Sequence, residues 1–267
     1  MDYKIVFSDI DGTLLNSNHR MLEGTEKSIK SLLKQNIPFV IVTARGPSGV
    51  YPIFKRYNFV CPMVCYSGAL ILDENGEIIY SKGISKSTTA AIINFIQEEK
   101  FECTWNIYSM DKWIVNNKKD PRVIREENIV EAQSMEGSAD DLTDGTTAGK
   151  ILCMCNPLFT DEIEEKIKKK FKSLSIVKSS DILLEIMERG VTKGESINII
   201  CDKWGIDPKE AIAFGDHYND VEMLENVGRP FLMANAPEDL KQRDFTLTAD
   251  MDSEGIYKAL KLLELVE

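Results

Sequence analysis

Histidine is almost missing from this chain, with two in 267 residues. The six cysteines, at positions 61, 65, 103, 153, 155 and 201, form no CxxC pair. A structural zinc site therefore has little to be built from. Positive charge is also short: Lys and Arg number 32 against 43 Asp and Glu, a formal net charge of −11. A protein that grips a nucleic-acid backbone needs a basic stripe, and docking on an anionic membrane needs the same, so neither is expected as a partner. No apolar run approaches the roughly 18 residues of a membrane span. The start, Met1-Asp2-Tyr3-Lys4-Ile5-Val6-Phe7, lacks the basic and long apolar parts of a signal peptide. With the unpaired cysteines, this predicts a cytoplasmic protein. An acidic balance does not forbid an anionic small substrate, provided local cations or a metal receive it.

Hydrophobic residues make up 43% and charged residues 28%, the mix of a globular protein. A chain this long buries about three quarters of its unfolded surface and needs no disulfide staples. Its first third alternates strand-like and helix-like stretches. Ile5-Val6-Phe7, Phe39–Val42 and Met63–Tyr66 are short apolar runs, as in strands buried on both faces. Between them, Ile29, Leu32 and Leu33, then Val50, Ile53, Phe54 and Tyr57, have helical spacing. This β-α-β-α-β order predicts a parallel sheet with right-handed crossovers. Asn75-Gly76 reads as a tight hairpin turn.

The middle, residues 83–187, has another texture. Helices are predicted around Ala91–Ile96 and over 160–173, where acids come first and lysines last, as suits the helix dipole. Strand-like pieces fall at 102–108, 112–116, 151–155, 174–178 and 182–187, and Ser134–Ala148 reads as a loop. Cys153 and Cys155 alternate on one strand and read as buried thiols. From Thr192 the first texture returns, with Thr192 and Glu195 as a capping box and Ala211–Phe214 as a buried strand. The prediction is an α/β core, residues 1–82 and 188–267, interrupted by an inserted α+β domain, 83–187.

Three groups of polar residues stand where predicted strands end, the edge at which open α/β sheets bind ligands. The first is Asp9-Ile10-Asp11-Gly12-Thr13-Leu14. Two carboxylates two apart on extended backbone share a side and resist joint ionisation unless a cation separates them. One can then serve as nucleophile and the other as acid. The second is Thr43-Ala44-Arg45, where the Thr43 hydroxyl either caps a turn or donates to a phosphate oxygen. The third is Gly215-Asp216-His217-Tyr218-Asn219-Asp220. Asp216 and Asp220, four apart, could share a helix face and join Asp9 and Asp11 in a four-carboxylate cluster. Such oxygen density selects Mg²⁺. Lys193 sits in a first helical turn, against the dipole, which makes sense if it faces an anion; a solvated lysine is the alternative.

With these residues placed, the chain resembles the haloacid dehalogenase superfamily of phosphohydrolases, most of all its Cof-type sugar-phosphatase branch with a large α/β cap. Asp9–Leu14, Thr43, Gly190-Val191-Thr192-Lys193-Gly194, and Gly215-Asp216 with Asn219-Asp220 and Met223 match that family's four motifs in order. Ser67-Gly68-Ala69 and Ala234-Asn235-Ala236 depart from the usual Asn-Gly-Ala and Gly-Asn-Ala, and Ala44 replaces a frequent glycine. The resemblance implies a Rossmann-like core and a Mg²⁺-dependent phosphatase for small phosphate monoesters, a sugar phosphate or related metabolite. By the same resemblance, Asp9 attacks phosphorus and Asp11 acts as acid and then base. Asp9, Asp216 and the backbone carbonyl of Asp11 hold Mg²⁺, with Asp220 behind them. Thr43 and Lys193 hold the phosphoryl oxygens, and Asn219 supports phosphate or Lys193. A phosphomutase and a non-catalytic phosphometabolite-binding protein are the alternatives. The cap, with Trp105, Tyr108 and Trp113 mostly in its core, is expected to close over the site.

Overall fold

The computed structural model describes residues 3–267, so the first two residues of the N-terminal reading lie outside the described residues. Along the chain run β1 (Ile5–Ser8), α1 (Glu23–Lys34), β2 (Phe39–Val42), α2 (Tyr51–Tyr57), β3 (Met63–Cys65), β4 (Leu70–Leu72) and β5 (Ile78–Ser81). Then come α3 (Lys86–Glu98), β6 (Cys103–Ser109), β7 (Lys112–Val115), α4 (Pro121–Val130), β8 (Met135–Glu136), β9 (Lys150–Cys155), α5 (Thr160–Lys170), β10 (Leu174–Ser180) and β11 (Leu183–Glu188). The last stretch holds α6 (Lys193–Trp204), β12 (Ala211–Gly215), α7 (Val221–Glu225), β13 (Arg229–Leu232), β14 (Thr246–Leu247) and α8 (Gly255–Leu262). Among the described residues, no helix is long and apolar enough to cross a membrane.

The chain divides into two compact units. One comprises the chain up to Ala44, Phe54–Tyr80 and Thr192–Glu267; the other comprises Arg45–Ile53 and Ser81–Val191. Segment 45–53 thus clusters apart from the first-third pattern in which its periodicity placed it. Gly49 lies so close to Val130 that a Cβ on it would sit 3.6 Å from the Val130 Cβ.

The first unit is built on an eight-stranded sheet ordered β14-β13-β12-β1-β2-β3-β4-β5. Pairs from β14 through β3 are parallel, and β4 returns antiparallel to β3. Every residue of β1, β2, β3 and β12 is buried. That is why these strands read as continuous apolar runs with no alternation. Ile5, Phe7, Val40 and Val42 pack with Ile197, Ile200 and Cys201 of α6 and with Met223 and Leu224 of α7. β1 lies between β2, its neighbour in sequence, and β12, about 200 residues away. The strand order therefore reverses at β1, and the carboxyl ends of β1, β2 and β12 open side by side.

Helix α1 carries no cap of its own, because Leu22 precedes it. Its free N–H groups are met from the far end of the chain. Glu254 accepts from Gly24 N–H at 2.7 Å, Thr25 N–H at 2.9 Å and the Thr25 hydroxyl at 2.9 Å. A carboxylate at a helix N-terminus also suits the dipole.

The second unit holds a six-stranded sheet ordered β10-β11-β9-β6-β7-β8, antiparallel except for β7–β8. On one face, Ile92, Ile93 and Ile96 of α3 and Ile163 and Ile167 of α5 pack against Trp105, Ile107, Ile151 and Cys153. On the other, Trp113, Val115, Leu152 and Met154 meet Val123 of α4. Trp105 and Trp113 are thus core side chains, as expected, and Tyr108 stacks on Trp113 at 5.5 Å. All six cysteines are free. Helix α4 carries only four apolar side chains, Val123, Ile124, Ile129 and Val130, of which Val123 alone is fully buried. It is set by Asp120, whose carboxylate accepts from Arg122 N–H at 2.9 Å, and by Pro121 in its first turn. The stretch 134–148 is not wholly a loop: it contains β8 and a 3₁₀ turn, Ala139–Asp141.

Replacing Glu254 by Ala strips three donors of their charged acceptor. The expected loss is about 2 kcal/mol. In urea denaturation the midpoint should fall while the slope stays unchanged.

Candidate active site

Asp9 continues β1 by one residue, its N–H on Phe214 O at 3.0 Å. The chain then turns sharply, and the Leu14 and Leu15 amides both reach Ile10 O, at 3.0 and 2.9 Å. Gly12 makes the turn possible, with φ at +87°. It also makes room: a Cβ there would lie 2.3 Å from Asp216 Oδ2. Asp216 follows β12 directly, and its Oδ1 accepts from the Thr13 hydroxyl at 2.8 Å. Thr43 follows β2 and is buried, its N–H on Val64 O and its carbonyl accepting from Ser67 N–H, both at 2.9 Å.

Lys193 opens α6. Thr192 caps that helix through Glu195 N–H at 3.1 Å. The turn Tyr66–Gly68 wedges against this start. Gly68, at φ +116°, approaches so closely that a Cβ would fall 2.4 Å from Thr192 O. Tyr66 and Ser67 adopt φ of 52° and 54° to bring it there. Two consecutive non-glycine residues in the left-handed region store strain of the kind found at functional sites.

The Lys193 side chain is wholly buried. Its ammonium donates to Asp9 Oδ1 at 2.5 Å and to Asp220 Oδ1 at 2.6 Å. The other oxygen of Asp220 accepts from the Asp216 and His217 amides at 2.9 and 3.0 Å. Asp220 thus ties the β12 loop to the start of α6. Asp9, Asp216 and Asp220 each offer an oxygen within 4.8 Å of the others.

The electrostatics are crowded. Burial drives the Asp9 carboxyl well above the usual range; Lys193 opposes this, and the charges of Asp220, Asp216 and Asp11 add to it. Asp216 is pushed up to about 6 by burial and by Asp220, against the Thr13 hydrogen bond and Lys193. Burial alone would lower the Lys193 ammonium, but Asp220 and Asp9 more than offset it and hold its pKa above the ordinary lysine value. Three carboxylates face one ammonium. Oxygen-only donors of this density suit a small hard cation, and a cation would remove the pressure to keep a proton on Asp9 or Asp216.

Asp9, Asp216, Asp220 and Lys193 therefore meet, with Thr43 on the adjoining strand end. Three readings change. Asp11 does not continue an extended strand beside Asp9. The chain turns at Ile10 and leaves Asp11 exposed, so the carboxylates close enough to share a cation number three, not four. Asp216 and Asp220 do not share a helix face, because a 3₁₀ turn, Tyr218–Asp220, precedes α7 and bends Asp220 back on the Asp216 amide. Asn219 is exposed and makes no hydrogen bond to Lys193, whose partners are Asp9 and Asp220, so of its two expected roles only the contact to phosphate stays open. In the sequence Thr13 is only part of a motif, and its hold on Asp216 becomes visible once β1 and β12 are neighbours.

Two substitutions test this packing. Gly12→Ala must move Asp216 and adopt a left-handed backbone, which should cost more than about 1–2 kcal/mol for the backbone alone. Lys193→Met leaves buried carboxylates without their partner and should cost about 3–5 kcal/mol in metal-free protein. Chemical denaturation after EDTA treatment measures both.

Comparison with known proteins gives the chain a family and a fold. The sequence profile of haloacid dehalogenase-like hydrolases matches residues 6–260. A Haemophilus influenzae protein named "Putative phosphatase" is 36% identical over 261 residues, 98% of each chain. "Putative phosphatase YkrA" of Bacillus subtilis is 28% identical over the full length of both. Among solved structures, a haloacid dehalogenase-like hydrolase from Bacteroides thetaiotaomicron has the same fold, with a TM-score of 0.89 at 23% identity over 98% of this chain and 99% of that one. From its first buried strand into its last helix, this chain belongs to the haloacid dehalogenase-like hydrolases.

Proposed function

We propose that this protein is a Mg²⁺-dependent phosphatase that hydrolyses small phosphate monoesters, a sugar phosphate or related metabolite, through an aspartyl-phosphate on Asp9. The observation that carries the reading is the buried Lys193 ammonium held between Asp9 and Asp220, with Asp216 offering a third oxygen close by. Family membership supports the reaction class, and the names of the relatives support phosphate esters as substrates.

In this reading Asp9 and Asp216, with the backbone carbonyl of Asp11, hold Mg²⁺, and Asp220 orients Lys193 and the Asp216 loop. The cation would supply charge neutralisation for the attacking carboxylate and the phosphoryl oxygens. A carboxylate oxygen of Asp9 attacks phosphorus while the bond to the leaving oxygen breaks. Asp11, which is exposed, gives that oxygen its proton. It then takes a proton from water, whose oxygen attacks the phosphorus, and the Asp9 carboxylate departs. Lys193 spends two of its three N–H donors on Asp9 and Asp220 and keeps one for a phosphoryl oxygen. Thr43 supplies a hydroxyl to the same group. The second unit is the proposed cap that selects the alcohol, and a reducing, cytoplasmic location is supported by the six free thiols.

Purified protein should release phosphate from p-nitrophenyl phosphate or a sugar phosphate with Mg²⁺, lose that activity in EDTA, and regain it on adding Mg²⁺. Asp9→Asn should lower the rate by about 10³-fold or more. Full activity in the Asp9→Asn variant would refute the nucleophile, and turnover undiminished in EDTA would refute the metal.

A further inference from the structure

We propose that Asn235 is a positioning residue that sets the orientation of Asp216 against the Gly12 turn. The inference rests on the Mg²⁺ reading above. Asn235 lies just beyond β13, where Met233 N–H on Gly215 O at 3.0 Å extends the pairing with β12. The chain is thereby brought beside the Asp216 loop. The Asn235 Nδ2 donates to Gly12 O at 2.8 Å and reaches Asp216 Oδ2 at 3.4 Å. Its Oδ1 accepts from Met251 N–H at 3.1 Å.

An amide side chain has an acceptor end and a donor end. Here the Met251 amide occupies the acceptor end, which fixes the flip and turns the NH₂ toward Gly12 and Asp216. Thr13 holds the other oxygen of Asp216 at 2.8 Å. Both oxygens of one proposed metal ligand are therefore set by donors, one from each side. Gly12 is the residue after Asp11, so the same NH₂ also fixes the turn that carries the Asp11 carbonyl. Asn235 itself is exposed. Exposed hydrogen bonds contribute little to stability, because water replaces them. Three links from one exposed side chain are better accounted for by alignment of the site. Hydrogen-bond partners of metal ligands typically change metal affinity by 10–100-fold.

A neighbouring residue gives a control. Asp252 ties the same C-terminal loop to Ser17, accepting from its N–H at 3.0 Å and its hydroxyl at 2.8 Å, and touches none of the site residues. Mn²⁺ binding to the EDTA-treated full chain is followed by loss of the free-ion electron paramagnetic resonance signal. Asn235→Ala should weaken Mn²⁺ binding by about 10-fold or more, keep a metal-free melting temperature close to wild type, and recover turnover as Mg²⁺ is raised. Asp252→Ala, which removes only exposed hydrogen bonds, should leave Mn²⁺ affinity near wild type. Asn235→Ser, too short to span both partners, should behave as Asn235→Ala and serves if that variant folds poorly. Wild-type Mn²⁺ affinity in the Asn235 variants, or an equal loss in Asp252→Ala, overturns the positioning role while the metal reading stands. Wild-type protein that binds no Mn²⁺ overturns both.

Discussion

The structure of the site depends on one buried cation. Lys193 has no access to water and reaches Asp9 and Asp220 at 2.5 and 2.6 Å. Removing an ammonium from water costs several kcal/mol, and only well-placed charged partners offset that. Those partners come from distant parts of the chain, one after β1 and one after β12, while the lysine opens α6. The ion cluster can form only when the sheet has brought these ends together. In turn it fixes the relative positions of the loops that carry the chemistry. It also leaves an excess of negative charge around Asp9, which is the physical reason for proposing a hard cation there. An acidic protein, at −11, can then receive an anionic ester.

The frame meets this requirement by close backbone approach. Gly12 lets Asp216 lie on the turn after Asp9, and Gly68 lets the turn after β3 press on the start of α6. Side chains at either position would push the ion cluster apart. The C-terminal segment contributes from outside the sheet. Glu254 caps α1, Asp252 holds Ser17, and Met251 holds Asn235. The first two tie the loop after β14 to the first 25 residues of the chain, and the third ties it to the segment after β13.

Much of this was legible in the sequence where the signal is local. β1, β2, β3 and β12 are buried on both faces and declare themselves as apolar runs. The DxDGT stretch and the acidic turn after β12 sit at strand ends, and Lys193 stands out as a cation at a helix start. What was not legible depends on contacts between distant residues. The bend at Ile10 that turns Asp11 outward is set partly by Asp216 lying on Gly12, 204 positions later. The contact of Lys193 with Asp220 depends on a 3₁₀ turn where spacing suggested a helix. α4 is weakly marked because a single fully buried residue anchors it, and the contacts of Asn235 are not legible because its partners lie 223 positions before it and 16 after.

The central claim is that the Lys193-bound carboxylate of Asp9 is the group that takes up phosphorus. Rapid acid quench during turnover, followed by mass spectrometry of proteolytic fragments, tests it directly. One phosphoryl group should appear on the peptide containing Asp9 and should be absent without Mg²⁺. Steady turnover with no phosphoryl group on that peptide, or with one on another residue, would contradict the account.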